Sequence, residues 1–308
     1  MPEYYFANLK LSTPFTFPEL EALTNPALTK EFLTISEPSD PRFEKPSQVS
    51  HKKLNFQGEP WLNISKINSG FYFSFVSSNV ATQLDLDKHE LYIVDRAGCS
   101  PAYLNHLILD HIIPLYLSTQ GYLVLHASLV ENNSKAFLFL GPSSSGKSSL
   151  AASLLSRGFN VLSDDYCLLS KDLTLIPSYP SLRILPEDLK LISEDHLSNS
   201  FSIKELSNKR NISLPPTASK PKLEGFFILS PSENAEAANF TDLGLQERII
   251  SLVRSSFLLD PSSTELSTEQ FEIASKVATD TEIKLLSYNQ TKTTQDGLAD
   301  SFQNFISS

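Results

Sequence analysis

The feature that most constrains this chain is the octapeptide GPSSSGKS at residues 141–148. It matches the phosphate-binding pattern G-x-x-x-x-G-K-[ST] at every fixed position. An apolar run at 136–140 precedes it, and apolar residues with helical spacing follow it over 147–157. A strand, a glycine-rich loop and a helix in this order place backbone N–H groups and a helix N-terminus around an anion. The pattern therefore predicts a phosphate site, and a chance match in a Ser/Gly loop is the alternative.

Two adjacent carboxylates form the second candidate feature. The apolar segment 161–163 is predicted as a buried strand, and Asp164 and Asp165 follow it directly. One acid at a strand end can hold a nucleotide-bound metal ion, and a second can take the proton of an incoming nucleophile. A solvated acidic turn is the alternative. Asp164 comes only 17 positions after Lys147, which is closer than in most phosphate-loop ATPases and GTPases.

Three further sites carry polar groups whose roles the sequence leaves open. His126 lies in an apolar segment predicted as one strand over 122–130, in the same sheet as the loop and the acid pair. It is either a buried structural histidine or part of the site. Arg183 is a single cation in an apolar stretch, and it faces either a phosphate or solvent. The pair Lys209-Arg210 is either a cation pair of a lid or a solvated loop, and the solvated loop is favoured.

The chain is predicted to hold an α/β fold in two parts: a strand-rich N-terminal domain over 1–118 that ends in a helix, and a catalytic domain over 119–308. Strands are expected at 71–76 and 91–94, with a long polar loop over 36–60. Ser100 is the expected cap of a helix that begins at Pro101 and is kinked or ended by Pro114.

Strands and helices alternate in the second part, which is typical of an α/β domain. Strands are expected at 135–140, 159–163, 223–229 and 282–287. Helices are expected at 147–157, 186–197, 243–257, 265–278 and near the C-terminus, with polar loops at 207–222 and 230–242.

Composition excludes several other classes of protein. The net charge is −10 and no run of Lys and Arg exceeds two residues, so broad nucleic-acid binding is not expected. Two cysteines are too few for a disulfide framework or a thiolate zinc site. The first ten residues lack the apolar core of a secretory signal, and the most apolar stretch, 103–117, is too interrupted to span a membrane. We expect a cytoplasmic protein without a membrane partner.

The segment 125–165 resembles the catalytic core of the HPr serine kinase/phosphorylase family, and most of all the HPr-kinase-like proteins found beside peptide-modification genes. The shared pattern is an L-H-A/G segment, a strand, the phosphate loop, a helix ending in R-G, and a strand ending in D-D. The stretch PSYPSLR at 177–183 is similar to P-G-Y-P-x-L-R in those relatives. Strong resemblance covers about 60 residues, and weaker resemblance extends over 120–308.

The resemblance implies a P-loop kinase domain of the HPr kinase/phosphoenolpyruvate carboxykinase type, with ATP and Mg²⁺ as cofactors. It implies that Lys147 and the loop amides hold the phosphates, that Ser148 and Asp165 bind the metal, and that Asp164 accepts the hydroxyl proton with His126 beside it. The split between Asp164 and Asp165 could be the reverse. The residues that would bind the nucleotide are Gly141, Ser143, Ser144, Ser145, Gly146, Lys147, Ser148, Ser149 and Arg183.

The implied function is a transferase that phosphorylates a serine hydroxyl of a peptide or small protein, and the resemblance allows a homo-oligomer. A small-molecule kinase on the same scaffold and a non-catalytic, nucleotide-gated binding protein remain as alternatives. The second sequence pattern of HPr kinases is not recognisable in 200–260, so HPr itself and a phosphorylase reaction are not implied. The acceptor, the nucleotide preference and the role of the first 100 residues stay open.

Overall fold

The computed structural model describes residues 1–23, 29–37, 43, 46, 48–54, 58–197, 200–203, 209–217 and 220–307, without the side chain of Phe201. The chain forms two compact units, Met1–Ile108 and Leu109–Ser308. The sequence predicts the domain boundary at residue 118, after the helix that begins at Pro101. The units instead divide within the helical residues 101–117.

The first unit is built on a β-sheet. In the part of this unit that is described, the sheet has eight strands in the order β1-β2-β3-β8-β7-β6-β5-β4. Their bounds are Glu3–Phe6 (β1), Leu9–Ser12 (β2), Glu31–Ser36 (β3), His51–Leu54 (β4), Pro60–Ile67 (β5), Gly70–Phe75 (β6), Val80–Asp85 (β7) and Glu90–Arg96 (β8). The predicted strand at 91–94 is confirmed within β8, and the one at 71–76 is confirmed over 71–75 in β6, which ends one residue earlier. The loop predicted over 36–60 is wrong at β4, which pairs with β5 although its own sequence, HKKL, has weak strand periodicity.

The helical segment after β8 begins where the sequence predicts. The helix α1 (Pro101–Leu107) has Ser100 as its N-cap, and the Ser100 Oγ accepts a hydrogen bond of 3.3 Å from the Tyr103 N–H. A π-helical turn, Ile108–Ile112, follows, and α2 (Ile113–Leu117) continues with Pro114 in its first turn. Pro114 therefore does not end the segment, because its missing N–H falls where a new helix begins.

The second unit is mixed α/β, with several sheets and helices. Its larger sheet, as described, has six strands in the order β12-β10-β11-β18-β20-β19. Their bounds are Ser128–Asn132 (β10), Lys135–Leu140 (β11), Asn160–Ser163 (β12), Lys222–Pro231 (β18), Asn239–Asp242 (β19) and Glu282–Tyr288 (β20). Strands β11, β18 and β20 are mutually parallel, so their carboxyl ends lie at one edge of the sheet. The loop 141–148 leaves β11 at this edge.

The smaller elements complete the unit. One small sheet contains Leu123–Leu125 (β9), Cys167–Leu169 (β13) and Leu175–Pro177 (β14), and another contains Ser181–Ile184 (β15), Ser200–Ser202 (β16) and Arg210–Ser213 (β17). The α-helices are Lys147–Leu155 (α3), Glu194–Leu197 (α4), Leu245–Arg254 (α5), Thr264–Asp280 (α6) and Gln295–Ser307 (α7), and 3₁₀ turns lie at Pro18–Leu20 and Pro186–Leu191. Across the described residues, no helix is both long enough and apolar enough to cross a bilayer.

Both faces of the six-stranded sheet are covered. Phe137 and Phe139 of β11 pack in one apolar cluster with residues of α3 and α7. The alternate residues of the same strand, such as Leu138 and Leu140, pack in a second cluster with α6. Burial on both faces explains why β11 is an almost continuous apolar run rather than an alternating one.

Several predicted elements of this unit are corrected. The single strand over 122–130 is two strands, β9 and β10, which belong to different sheets. The helix predicted over 186–197 is a 3₁₀ turn followed by one turn of α-helix. The loops predicted at 207–222 and 230–242 contain strands β17 and β19, which are short and polar and form by pairing with β15 and β20.

Candidate functional site

The loop 141–148 has the backbone that its glycines permit. The φ angles are 142° at Gly141, 65° at Ser144 and 84° at Gly146. A Cβ atom at Gly141 would lie 2.8 Å from the Leu229 carbonyl oxygen, and one at Gly146 would lie 2.9 Å from the Tyr288 hydroxyl. Both positions therefore exclude a side chain by space as well as by conformation.

Two side chains at and just after the end of β20 donate hydrogen bonds to carbonyl groups of this loop. The Tyr288 hydroxyl donates a hydrogen bond to the Ser145 carbonyl oxygen, and Gln290 Nε2 donates one of 3.0 Å to the Ser144 carbonyl oxygen. In a trans peptide the N–H points opposite to the C=O. The Gly146 N–H is thus directed away from Tyr288. Nothing local in the sequence marks Tyr288 or Gln290 as site residues.

Lys147 is folded back over the loop. Its side chain is buried, and its Nζ donates hydrogen bonds of 2.9 Å to the Gly141 carbonyl and 3.2 Å to the Pro142 carbonyl. Burial lowers the pKa of Lys147 to about 8, although the charges of Asp164 and Asp165 act in the opposite direction. The ammonium group is therefore still mostly charged at pH 7, inside a loop that can present amides to an anion.

Asp164, at the end of β12, is fixed by two donors. Its carboxylate accepts hydrogen bonds from the Ser128 hydroxyl and from the backbone N–H of Arg183, the second at 3.1 Å. Burial and then the charge of Asp165 raise the pKa of Asp164, and the nearby side chains of Ser128 and Ser148 lower it. Ser148 of the loop therefore lies near the acid pair.

Asp165 lies in a network of charges around one guanidinium group. Arg183 Nη2 is 2.7 Å from Asp165 Oδ1, and Arg183 Nη1 is 3.5 Å from Asp110 Oδ2. The Tyr179 hydroxyl donates to the second oxygen of Asp110. Burial raises the pKa of both Asp110 and Asp165 to about 6, against the opposing effect of Arg183.

Asp110 is a member of this network that sequence reasoning missed. In the sequence it appears only as an interruption of the apolar stretch 103–117. The π-helical turn Ile108–Ile112 carries it, and π turns are frequent at functional sites. The buried acid inside an apolar helix was the available signal.

His126 lies between β9 and β10. The sequence predicts one strand here, in the same sheet as the strands before the loop and before the acid pair; this is wrong for β9, which belongs to another sheet. The interruption between β9 and β10 places His126 beside the acid pair. Its Nδ1 is 2.9 Å from the Asp165 backbone carbonyl. Because a carbonyl can only accept, Nδ1 carries the hydrogen and Nε2 the lone pair. Burial lowers the pKa of His126 to about 3, so the ring is neutral at pH 7.

Other predicted site residues lie farther from this centre. Ser143 and Ser144 are exposed on the loop. Ser149 is turned away from the loop, since its hydroxyl donates a 2.5 Å hydrogen bond to Asp188 on the 3₁₀ turn. The structure thus brings together Ser128, His126, Lys147, Ser148, Asp164, Asp165 and Arg183, and adds Asp110, Tyr179, Tyr288 and Gln290.

The residues present fit a magnesium ion bound together with phosphates. The described part of the chain holds no group of three or more His, Cys, Asp or Glu arranged for a metal ion. Mg²⁺ commonly uses one or two carboxylates and takes its other ligands from phosphates and water. The hydroxyl of Ser148 near the buried carboxylate of Asp164 is a donor set of this kind.

Comparison with known proteins leaves the family unassigned. No protein-family model matches the chain, and no curated protein matches it. Among solved structures, the HPr(Ser) kinase/phosphatase from Coxiella burnetii is similar at 10% identity and a TM-score of 0.29, over 60% of this chain and 99% of that one. A TM-score this low does not establish a shared fold.

Proposed function

We propose that this chain is an ATP- and Mg²⁺-dependent kinase that transfers the γ-phosphoryl group to a serine hydroxyl of a peptide or small protein. The observation that carries the proposal is that the loop and the acid pair lie together: the charges of Asp164 and Asp165 act on Lys147, and the side chain of Ser148 acts on Asp164. A sequence match for a phosphate loop thus lies beside a buried carboxylate, which is the arrangement that a metal-bound nucleotide requires.

The loop and Lys147 would bind the nucleotide. The Gly146 N–H is directed away from Tyr288, and α3 begins at the next residue, so a helix N-terminus, which favours an anion, lies beside it. Lys147 would exchange its two carbonyl partners for phosphate oxygens, which accept stronger hydrogen bonds because they are charged. Bound Mg²⁺–ATP supplies the phosphoryl group and part of the charge that stabilises its transfer.

The contacts of Asp164 and Asp165 favour the reverse of the split that the resemblance first implies. Asp164 is held by two donors and lies near Ser148, which suits a group that orients a metal ion together with that serine. Asp165 has a pKa of about 6 and is mostly ionised at neutral pH, close to the value best suited to a general base. We therefore assign Asp164 to the metal side and Asp165 to the acceptor hydroxyl.

His126 would position the acceptor side of the site. Its Nδ1–H donates to the backbone carbonyl of Asp165, which orients the ring, and Arg183 holds the carboxylate of the same residue. Its Nε2 can accept a hydrogen bond from the acceptor hydroxyl, because the ring stays neutral. Phosphoryl transfer needs positioning and charge neutralisation more than covalent help from the protein, and these residues can provide both.

The test is incubation of the purified protein with γ-labelled ATP, Mg²⁺, a library of serine peptides and, separately, small alcohols. We expect label on a peptide serine, lost in Lys147→Ala and in Asp165→Asn. Lys135→Ala is the matched control, because this exposed lysine pairs with Glu224 at the other end of β11. Asp164→Asn should weaken Mg²⁺–ATP binding, whereas Asp165→Asn should leave binding intact and lower kcat.

The other outcomes are equally informative. Label on small alcohols alone would contradict the peptide acceptor and favour the small-molecule kinase. Lys147-dependent ATP binding without transfer to any acceptor would contradict the kinase and favour a nucleotide-gated binding protein. Loss of Mg²⁺–ATP affinity in Asp165→Asn but not in Asp164→Asn would restore the opposite assignment of the two acids.

A further inference from the structure

The two adjacent basic residues Lys209 and Arg210 lie at the start of β17, where Arg210 is the first residue and Lys209 immediately precedes it. Asn211 pairs with Arg183, and Arg210 pairs with Ile184. Side chains alternate along a strand, so Asn211 shares the face of Arg183, and Lys209 leads into the strand that runs beside Arg183. That face carries the guanidinium that contacts Asp165 and Asp110. Arg210 is on the other face, where its Nη2 donates a 2.7 Å hydrogen bond to the Ser200 hydroxyl.

A second, independent observation places Lys209 near the candidate site. Burial has the largest effect on the pKa values of His126, Lys147 and Asp165, and the positive charge of Lys209 lowers all three. The side chain is therefore close to both the phosphate loop and the acid pair. The sequence leaves open whether Lys209 and Arg210 form a cation pair of a lid or a solvated loop. The two residues differ: Lys209 lies near the candidate site, whereas Arg210 is bound to Ser200.

Lys209 is also the cation of this group that remains available. Arg183 is shared by two carboxylates, and Lys147 is bound to two loop carbonyls. Within the described ranges, Lys209 has no carboxylate within ion-pair distance. An unpaired ammonium group close to two other cations is repelled by them, and a bound anion removes that repulsion.

We propose that Lys209 is a third cation of the site and binds the terminal phosphate of a nucleoside triphosphate, while Arg210 does not. This deepens the proposed function and rests on it. Lys209 is near Lys147, the loop residue expected at the terminal phosphates, and near Asp165 on the acceptor side. A cation near both groups would contact the phosphate that a triphosphate has and a diphosphate lacks, so Lys209 would determine the preference for ATP over ADP.

The experiment is isothermal titration of the full chain with Mg²⁺–ATP, Mg²⁺–ADP and inorganic tripolyphosphate. We expect Lys209→Met to raise the Kd for ATP and for tripolyphosphate about tenfold, as loss of one charge-assisted hydrogen bond does, with the Kd for ADP nearly unchanged. Lys209→Arg should restore most of the affinity. Arg210→Gln is the neighbouring control, and Lys222→Met, at the amino end of β18, is a control for loss of charge alone; both should bind all three ligands like the wild type.

The result separates the two proposals. If the wild type binds ATP in a Lys147-dependent manner and Lys209→Met does not change the affinity, or weakens ATP and ADP equally, the role of Lys209 is overturned and the kinase proposal stands. If ATP does not bind but tripolyphosphate binds in a Lys209-dependent manner, the kinase proposal fails and the anion site at Lys209 stands. If neither ligand binds, both proposals are overturned.

Discussion

Gly146 and Gly158 have the same backbone conformation, with φ at 84° in each, but they differ in what surrounds them. A Cβ at Gly146 would lie 2.9 Å from the Tyr288 hydroxyl, whereas nothing lies within 4 Å of one at Gly158. The first glycine lies in the loop 141–148, directly before α3, and the second follows α3. The two positions therefore separate the effect of left-handed backbone from the effect of close approach.

We expect Gly158→Ala to cost about 1 kcal/mol of unfolding free energy, from the left-handed conformation alone. Gly146→Ala should cost more and should also abolish ATP binding, because the new methyl group displaces Tyr288 and with it the Ser145 carbonyl. Urea unfolding and ATP titration of both variants test this. Equal stability loss and unchanged ATP affinity in the two variants would contradict the close packing at Gly146.

His126 should make the fold sensitive to acid. Its pKa is lowered to about 3 by burial, while the unfolded chain has a pKa near the usual 6.5. Below pH 6.5 the unfolded state takes up a proton that the folded state does not, so this group destabilises the fold as the pH falls. Asp110 and Asp165, with pKa values raised to about 6, act in the opposite direction, because the folded state then binds the proton more tightly.

Comparison of His126→Gln with the wild type isolates the histidine from the acids. The stability of the wild type relative to the variant should fall by about 1–2 kcal/mol between pH 7 and pH 5. Urea unfolding at a series of pH values measures this difference. A difference that is constant with pH would mean that His126 titrates normally in the folded chain.

At the scale of elements, Phe302 is the fully buried aromatic side chain through which α7 packs on the six-stranded sheet. Its ring centroid is 5.0 Å from that of Phe139 and 4.9 Å from that of Phe227. Phe137 and Phe159 complete this cluster, and Phe305 of the same helix stacks on Phe240 at the sheet edge. The helix begins at Gln295, whose side chain lies beside Gly146, so packing of α7 also affects the loop 141–148.

Phe302→Ala should therefore destabilise the second unit by about 3–5 kcal/mol, through lost burial and the cavity that remains. Phe271→Ala is the matched control, because Phe271 on α6 is 52% exposed and its truncation should change stability by less than about 0.5 kcal/mol. Circular dichroism at increasing urea measures both. Similar losses in the two variants would contradict the assignment of Phe302 to the core.

At the scale of the whole molecule, every residue of the candidate site belongs to the second unit, Leu109–Ser308. The two units divide inside the helical segment that Ser100 caps, so a cut at residue 108 would remove the start of that helix. A fragment that preserves the cap tests whether the second unit and its site are self-sufficient.

We expect the fragment 100–308 to fold and to bind Mg²⁺–ATP with the affinity of the full chain, because the apolar clusters around the six-stranded sheet lie wholly within it. Circular dichroism and ATP titration check folding and binding separately. A folded fragment with reduced ATP affinity would show that the first unit contributes to the site, and an unfolded fragment would show that the units do not fold independently.

The local part of this architecture could be predicted from the sequence. The glycines, the flanking apolar strand and the helical spacing after Lys147 locate β11, the loop and α3, because each depends on backbone conformation and burial of neighbouring residues. The cap at Ser100 and the acids after β12 follow for the same reason. Strands β4, β17 and β19 could not be predicted, since short polar strands form only through the strand that pairs with them.

The connections that complete the candidate site were decided only in the tertiary structure. Arg183 joins Asp110 across 73 positions, and Tyr288 holds the Ser145 carbonyl across 143. No local periodicity encodes such pairs, because they depend on which sheet edge and which helix turn meet after folding. The sequence determines which groups can bind a phosphate. The break between β9 and β10 and the pairing of the small sheet determine which of them, His126 and Arg183 among them, lie together.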